Sequence, residues 1–168
     1  MNRLPYTAIA AVRHADAAEH RRRATEIGLH CPDDVFEQLF HAPHVDALLM
    51  VAVAPVDWSI VRWREAELSA AALAQVSLPR GYAPAVHAVR HAAARDGVTD
   101  ERPGVLAQWQ TAGTWLRAPV LIAGELTGAE ASYELLIGRK RLATLLGLVE
   151  RGDVPYEQRH RVWIGEPG

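Results

Sequence analysis

Between residues 132 and 148 the chain reads SYELLIGRKRLATLLGL, and this run limits the fold more than any other. Tyr133 to Ile137 has the length and residue types of a strand. From Leu142 the spacing changes: Leu142, Leu145, Leu146 and Val149 fall at i, i+3, i+4 and i+7, the stripe of a helix buried along one face. Gly138 stands where the period changes and suits a sharp turn of the backbone. Arg139 and Arg141 flank the stripe and Lys140 points roughly away from it. A strand feeding a helix through one glycine predicts an α/β or, by preference, an α+β fold, a small mixed β-sheet with helices packed around it.

The rest of the chain supplies the other layers. Residues 7–29 read as a helix rich in Ala, Arg and Glu, stopped by Gly28. Pro32-Asp33-Asp34 opens a short helix, Val35 to Phe40, which Pro43 ends. His44 to Val53 is another helix, with a strand as the alternative. Ser59 to Leu68 has the period-two pattern of a half-buried strand, and Leu73 to Leu78 a weaker one. Pro84 to Ala94 and Pro103 to Ala112 are helices, followed by Gly97 and Gly113. Val120 to Ala123 is a short apolar strand, Leu126 to Ser132 a polar turn, and Tyr133 to Ile137 pairs back as a hairpin. Arg161 to Ile164 closes the sheet. The organisation is therefore a helical N-terminal extension, residues 1–57, and a domain over residues 58–168.

Composition excludes several classes. The 168 residues are 49% hydrophobic and 23% charged, which rules out a disordered chain. One cysteine, Cys31, rules out a disulfide framework and an all-cysteine metal site. No apolar run approaches the ~20 residues of a membrane span. The first residues lack a signal-peptide core, so the cytoplasm is the expected compartment. Seventeen of the eighteen basic residues are Arg, the pattern of a GC-rich genome, and Lys140 is the only lysine. The net charge of −2 hides an asymmetry: residues 32–57 carry −5 and residues 139–161 carry +3. That pattern offers an anion a place to dock, and it also permits self-association, including a homodimer.

The chemistry-bearing candidate is the start of the last helix. A helix N-terminus offers backbone N–H groups without intrahelical partners and the positive end of the dipole. Three cations in a first turn that disfavours cations make sense where a phosphate docks; the plain alternative is a surface basic patch facing the acidic 32–57 stretch. Other groups weigh less. His87 and His91, at i and i+4, are half a metal site at most, and no metal is expected. His41, His44 and His30 read as loop residues, and Cys31 lacks a placed partner for nucleophilic chemistry. Arg21-Arg22-Arg23 reads as a solvated helix face and the five tryptophans as core. Glu65, Glu67, Glu125 and Glu134 read as strand-exposed acids before catalytic ones.

With these residues in view, the run from about Trp58 to Glu166 resembles the ParB/sulfiredoxin superfamily, specifically ParB N-terminal domains. RAPVLIAG, a turn, YELLIGRKRLATLLGL and a final HRVWIGE strand carry the likeness. The family has a Gly-x-x-Arg box at the strand-to-helix junction that binds nucleotide phosphates. Gly138 and Arg141 match it, with Arg139 and Lys140 between them, and Arg117 opens the phrase resembling the strand before the box. The resemblance implies ATP or CTP with Mg²⁺ held by Gly138, Arg139, Lys140, Arg141 and Arg117, with NTP hydrolysis or phosphoryl transfer as the chemistry. The departures are specific. The second box position is Arg139, not the cysteine of sulfiredoxins or the glutamate of partition proteins. No Glu-Asn-x-x-Arg element is evident, and no helix-turn-helix follows. The alternatives are a catalytically inactive protein-interaction or regulatory module on the same fold, docking a partner through residues 1–57, and a DNA-associated protein using the basic 139–161 stretch.

Overall fold

The computed structural model describes residues 3–42, 47–100 and 102–168. Among these, four strands form one mixed sheet: β1 (Val61–Ser69), β2 (Val120–Ala123), β3 (Tyr133–Ile137) and β4 (Arg159–Pro167), in the order β1-β4-β2-β3. β1 and β4 pair antiparallel over nine residues each, from Val61 opposite Pro167 to Ser69 opposite Arg159. β2 and β3 form the expected hairpin, and β4 lies parallel to β2. Helices α1 (Tyr6–Ala11), α2 (Ala17–Glu26), α3 (Asp33–Val35), α4 (Ala47–Val53), α5 (Ala70–Leu73), α6 (Ala83–Asp96), α7 (Pro103–Ala112), α8 (Gly124–Thr127) and α9 (Arg139–Arg151) surround it. The α+β class read from the sequence is the one observed.

The sheet has an apolar layer on each face. On one, Ile9, Phe36, Leu39, Phe40, Leu49 and Trp58 from the N-terminal residues join Val61, Val120, Ile122 and Leu136. On the other, Leu142, Leu145, Leu146 and Val149 of α9 pack with Leu121, Leu135, Val162 and Ile164. The stripe read from the sequence is thus the buried face of α9. Gly147 on that helix brings it against α6, because a methyl group there would lie 2.4 Å from the Arg90 carbonyl oxygen.

Several expected elements differ. The single helix over 7–29 is two, because Asp16 accepts a hydrogen bond from the Glu19 N–H at 2.9 Å and starts α2 afresh. The strand expected at 73–78 does not form: Leu73 ends the helical turn α5, started by Ser69, whose hydroxyl accepts from the Ala72 N–H at 3.2 Å, and of the residues that follow only Ser77 bridges to Glu134. The polar turn at 126–132 begins inside α8, and the last strand runs well beyond 161–164. Ala47–Val53 is helical, while Pro43 and His44 lie outside the described residues. After α3 the chain widens into a π-helix, Phe36–His41, with the Ala42 N–H bonded to the Glu37 carbonyl at 3.0 Å. This wider turn buries Phe36, Gln38, Leu39 and Phe40 together. It turns the polar Gln38 towards the sheet.

No described helix is long and apolar enough to cross a membrane.

Candidate functional site

The strand-to-helix junction is built as its spacing predicts. β3 ends at Ile137, Gly138 takes a left-handed φ of 111°, and α9 starts at Arg139. A methyl group on Gly138 would lie 2.6 Å from Pro119 Cβ and 3.2 Å from its Cα. Glycine is therefore required twice, by backbone conformation and by close approach to the chain entering β2. Leu142 N–H closes the first turn onto the Gly138 carbonyl at 2.9 Å.

The charged groups around the junction are turned mostly towards the protein. Arg141, partly buried, donates from Nη1 to the Arg117 carbonyl at 2.7 Å and the Ala118 carbonyl at 3.2 Å, and from Nη2 to Gln38 Oε1 at 2.8 Å. Burial, and then the neighbouring Arg117 cation, pull its guanidinium down to about 10. The buried Gln38 amide is used at both ends, since its Nε2 donates to the Ala118 carbonyl at 3.0 Å and to Asp34 Oδ2 at 3.3 Å. Arg117 pairs with Asp34 and, at 2.9 Å, with Glu37. Trp163 on β4 donates its indole N–H to Asp34 Oδ2 at 2.9 Å. Together these contacts form a clasp between residues 34–38 and the sheet.

The other two box residues differ from these. The Arg139 guanidinium lies 3.8 Å from the centroid of the buried Tyr82 ring, a cation–π contact. Lys140 is exposed and makes no hydrogen bond or ion pair among the described residues. The structure thus brings Gly138, Arg117 and Arg141 together, sets Arg139 against Tyr82 and leaves Lys140 facing solvent. Comparison with protein-family models, curated proteins and solved structures returned no match.

Asp34, Glu37, Gln38 and Trp163 are site residues that motif reading missed. The signal for the two acids was present in the charge asymmetry between residues 32–57 and the basic positions later in the chain. Gln38 gave no signal, because its role depends on the π-turn. The lesser candidates resolve as follows. Burial pushes the Cys31 thiol up to about 11, which makes it a poor nucleophile. His87 and His91 are exposed, and no group of three metal-ligating side chains occurs among the described residues. Within the arginine triplet, Arg22 is solvated and paired with Glu19, as expected of a helix face. Arg21 instead reaches the Cys31 carbonyl at 2.6 Å and Asp33 at 2.9 Å. Glu134, expected to be exposed, is buried.

The clasp is weaker than the apolar layer beside it. Each large side chain buried there contributes about 1.5–3 kcal/mol, whereas a half-exposed ion pair such as Arg117–Glu37 contributes about 0–1 kcal/mol. Apolar burial holds the N-terminal residues to the sheet. The clasp fixes how they sit on it.

Proposed function

We propose that the chain is a non-catalytic binding or regulatory module, in which the residues resembling the nucleotide-phosphate box serve as an internal clasp. One observation carries this reading. Arg141, the residue matching the box arginine, spends its guanidinium on Arg117, Ala118 and Gln38 of its own chain. Asp34 and Glu37 at Arg117 reinforce it, because carboxylates beside the junction repel a polyphosphate.

The second reading is a nucleotide- or phosphate-binding module with NTP hydrolysis or phosphoryl transfer. Exposed Lys140 in the first turn of α9 favours it.

A thermal-shift titration with ATP and CTP, with and without Mg²⁺, separates the two. The clasp reading expects no rise in Tm for the wild type with any nucleotide and a lowered Tm for Arg141→Ala. A nucleotide-dependent rise in the wild type that vanishes in Arg141→Ala overturns it in favour of the phosphate site.

A further inference from the structure

A second feature lies on the same face of the sheet, at the edge formed by β3. A cavity of about 510 Å³ opens between α4, the turn before α6 and the loop after α8. Its wall is mostly apolar, from Leu48, Val51, Ala52 and Ala129, and Val51 is 73% exposed beside it. Glu134, only 7% exposed, lines the cavity, and so does the exposed Arg80. The Glu134 side chain makes no hydrogen bond or ion pair among the described residues, and Arg80 does not pair with it.

The Glu134 carboxylate oxygens are not among the buried atoms left without a partner, so they meet solvent through the cavity. A cationic donor entering the cavity would find there an acceptor with no competing ion pair from the described residues, and a charge-assisted hydrogen bond is stronger than a neutral one. The register of the sheet leaves the side chain no alternative. Glu134 sits opposite Ile122 on one side and bridges to Ser77 on the other, so its backbone is fixed from both directions. Period two then places it on the same face as Leu136, towards the N-terminal layer.

The chemistry of the lining narrows the occupant. Glu134 belongs to no group of three metal-ligating side chains among the described residues, which disfavours a metal. An anion would be repelled by Glu134, and a neutral apolar molecule would leave it unpaired. The volume falls in the range of small-molecule sites. We propose that this cavity binds a small organic ammonium compound. Glu134 takes the ammonium, the apolar wall takes the hydrocarbon body, and Arg80 takes a carboxylate where the same molecule carries one, as an α-amino acid does. The proposal is independent of the clasp reading, because it uses none of Arg117, Arg139, Lys140 or Arg141.

The test is a ¹H–¹⁵N NMR titration of the full chain with n-pentylamine, norleucine and hexanoate at neutral pH, following amides of residues 48–52, 80–81, 128–129 and 134. The wild type is expected to bind n-pentylammonium and norleucine, with shifts concentrated at these residues, and to bind hexanoate at least about tenfold more weakly. Glu134→Gln, close to isosteric, should raise Kd for both amines about tenfold or more. Arg80→Ala should weaken norleucine alone. Equal binding of hexanoate and n-pentylamine, amine affinity unchanged in Glu134→Gln, or no response of the cavity amides to either amine overturns the proposal. The hexanoate comparison needs no variant, so it decides even if a substitution unfolds the chain. A failure here leaves the nucleotide titration untouched, since that reads a different part of the molecule.

Discussion

Arg141 and Glu134 stand on either side of one short stretch of chain, the strand β3 and its glycine, and both are withdrawn from solvent. They meet opposite circumstances. Arg141 has three hydrogen-bond acceptors around it, supplied by the chain entering β2 and by the π-turn. Glu134 has no donor among the described residues and borders a cavity. A withdrawn charge with all its partners in place stabilises a particular arrangement of the fold. One that meets only solvent in a cavity is left open to a ligand. The two proposals rest on this contrast: a structural role for the motif resembling a phosphate box, and a ligand-binding role for an acid that looked like an ordinary strand residue.

Substitution should therefore cost far more at Arg141 than at Glu134. Arg141→Ala is expected to have the largest effect, a loss of about 3 kcal/mol, because it strips the donor from Oε1 of buried Gln38 and from the Arg117 carbonyl, while the Ala118 carbonyl keeps its bond from Gln38. For a chain of this size that is roughly a 6–12 °C fall in Tm. Arg141→Lys should recover little of it, since an ammonium cannot span the same three acceptors. Denaturant unfolding checks both variants, and a Lys variant as stable as the wild type would break the comparison. Gly138→Ala, at a φ of 111° and against Pro119, should cost about 2 kcal/mol or more without touching a charge.

Glu134→Gln should change stability by less than about 1 kcal/mol, because the carboxylate meets solvent through the open cavity and gives up no partner in the described protein. A clear loss of stability would mean that Glu134 is satisfied within the protein. Arg117→Ala sharpens the other side. Its ion pairs with Asp34 and Glu37 are about a third to a half exposed, so the loss should be no more than about 1 kcal/mol and should shrink with added salt.

His160 falls between the two cases. It is buried, with Nδ1 2.9 Å from Thr114 Oγ1 and Nε2 without a partner among the described residues, and burial pushes its imidazole down to about 4. A depressed histidine favours the neutral form in the folded state, so the unfolded chain takes up the proton first. Its contribution is fully present above about pH 6.5 and is lost as pH falls towards about 4. Tm of the wild type should fall over that window more steeply than Tm of His160→Gln, and parallel profiles would contradict the assignment.

The sequence made the layered α+β fold legible because its signals are local. The stripe from Leu142 to Val149, the hairpin of β2 and β3 and the glycine between β3 and α9 can each be read within a few residues. The failures were local as well. Asp16 and Ser69 each start a helix through a side-chain oxygen, a competition that apolar periodicity does not register. The clasp was half legible: the opposite charges of residues 32–57 and 139–161 implied attraction, but Asp34 and Glu37 pair with Arg117, which lies outside that basic stretch. The state of Glu134 was not legible at all. On an antiparallel hairpin its alternation with Leu135 reads as solvent-facing, and only the N-terminal layer folding over that face buries it.

Amide hydrogen exchange in Arg141→Ala against the wild type tests the clasp most directly. If Arg141 fixes the N-terminal segment on the sheet, protection should fall selectively across residues 33–42 while β1, β4 and the buried turns of α9 keep theirs. Unchanged protection of residues 33–42 in the variant, together with added protection at the start of α9 when CTP and Mg²⁺ are given to the wild type, would contradict it and return the junction to the role of a phosphate site.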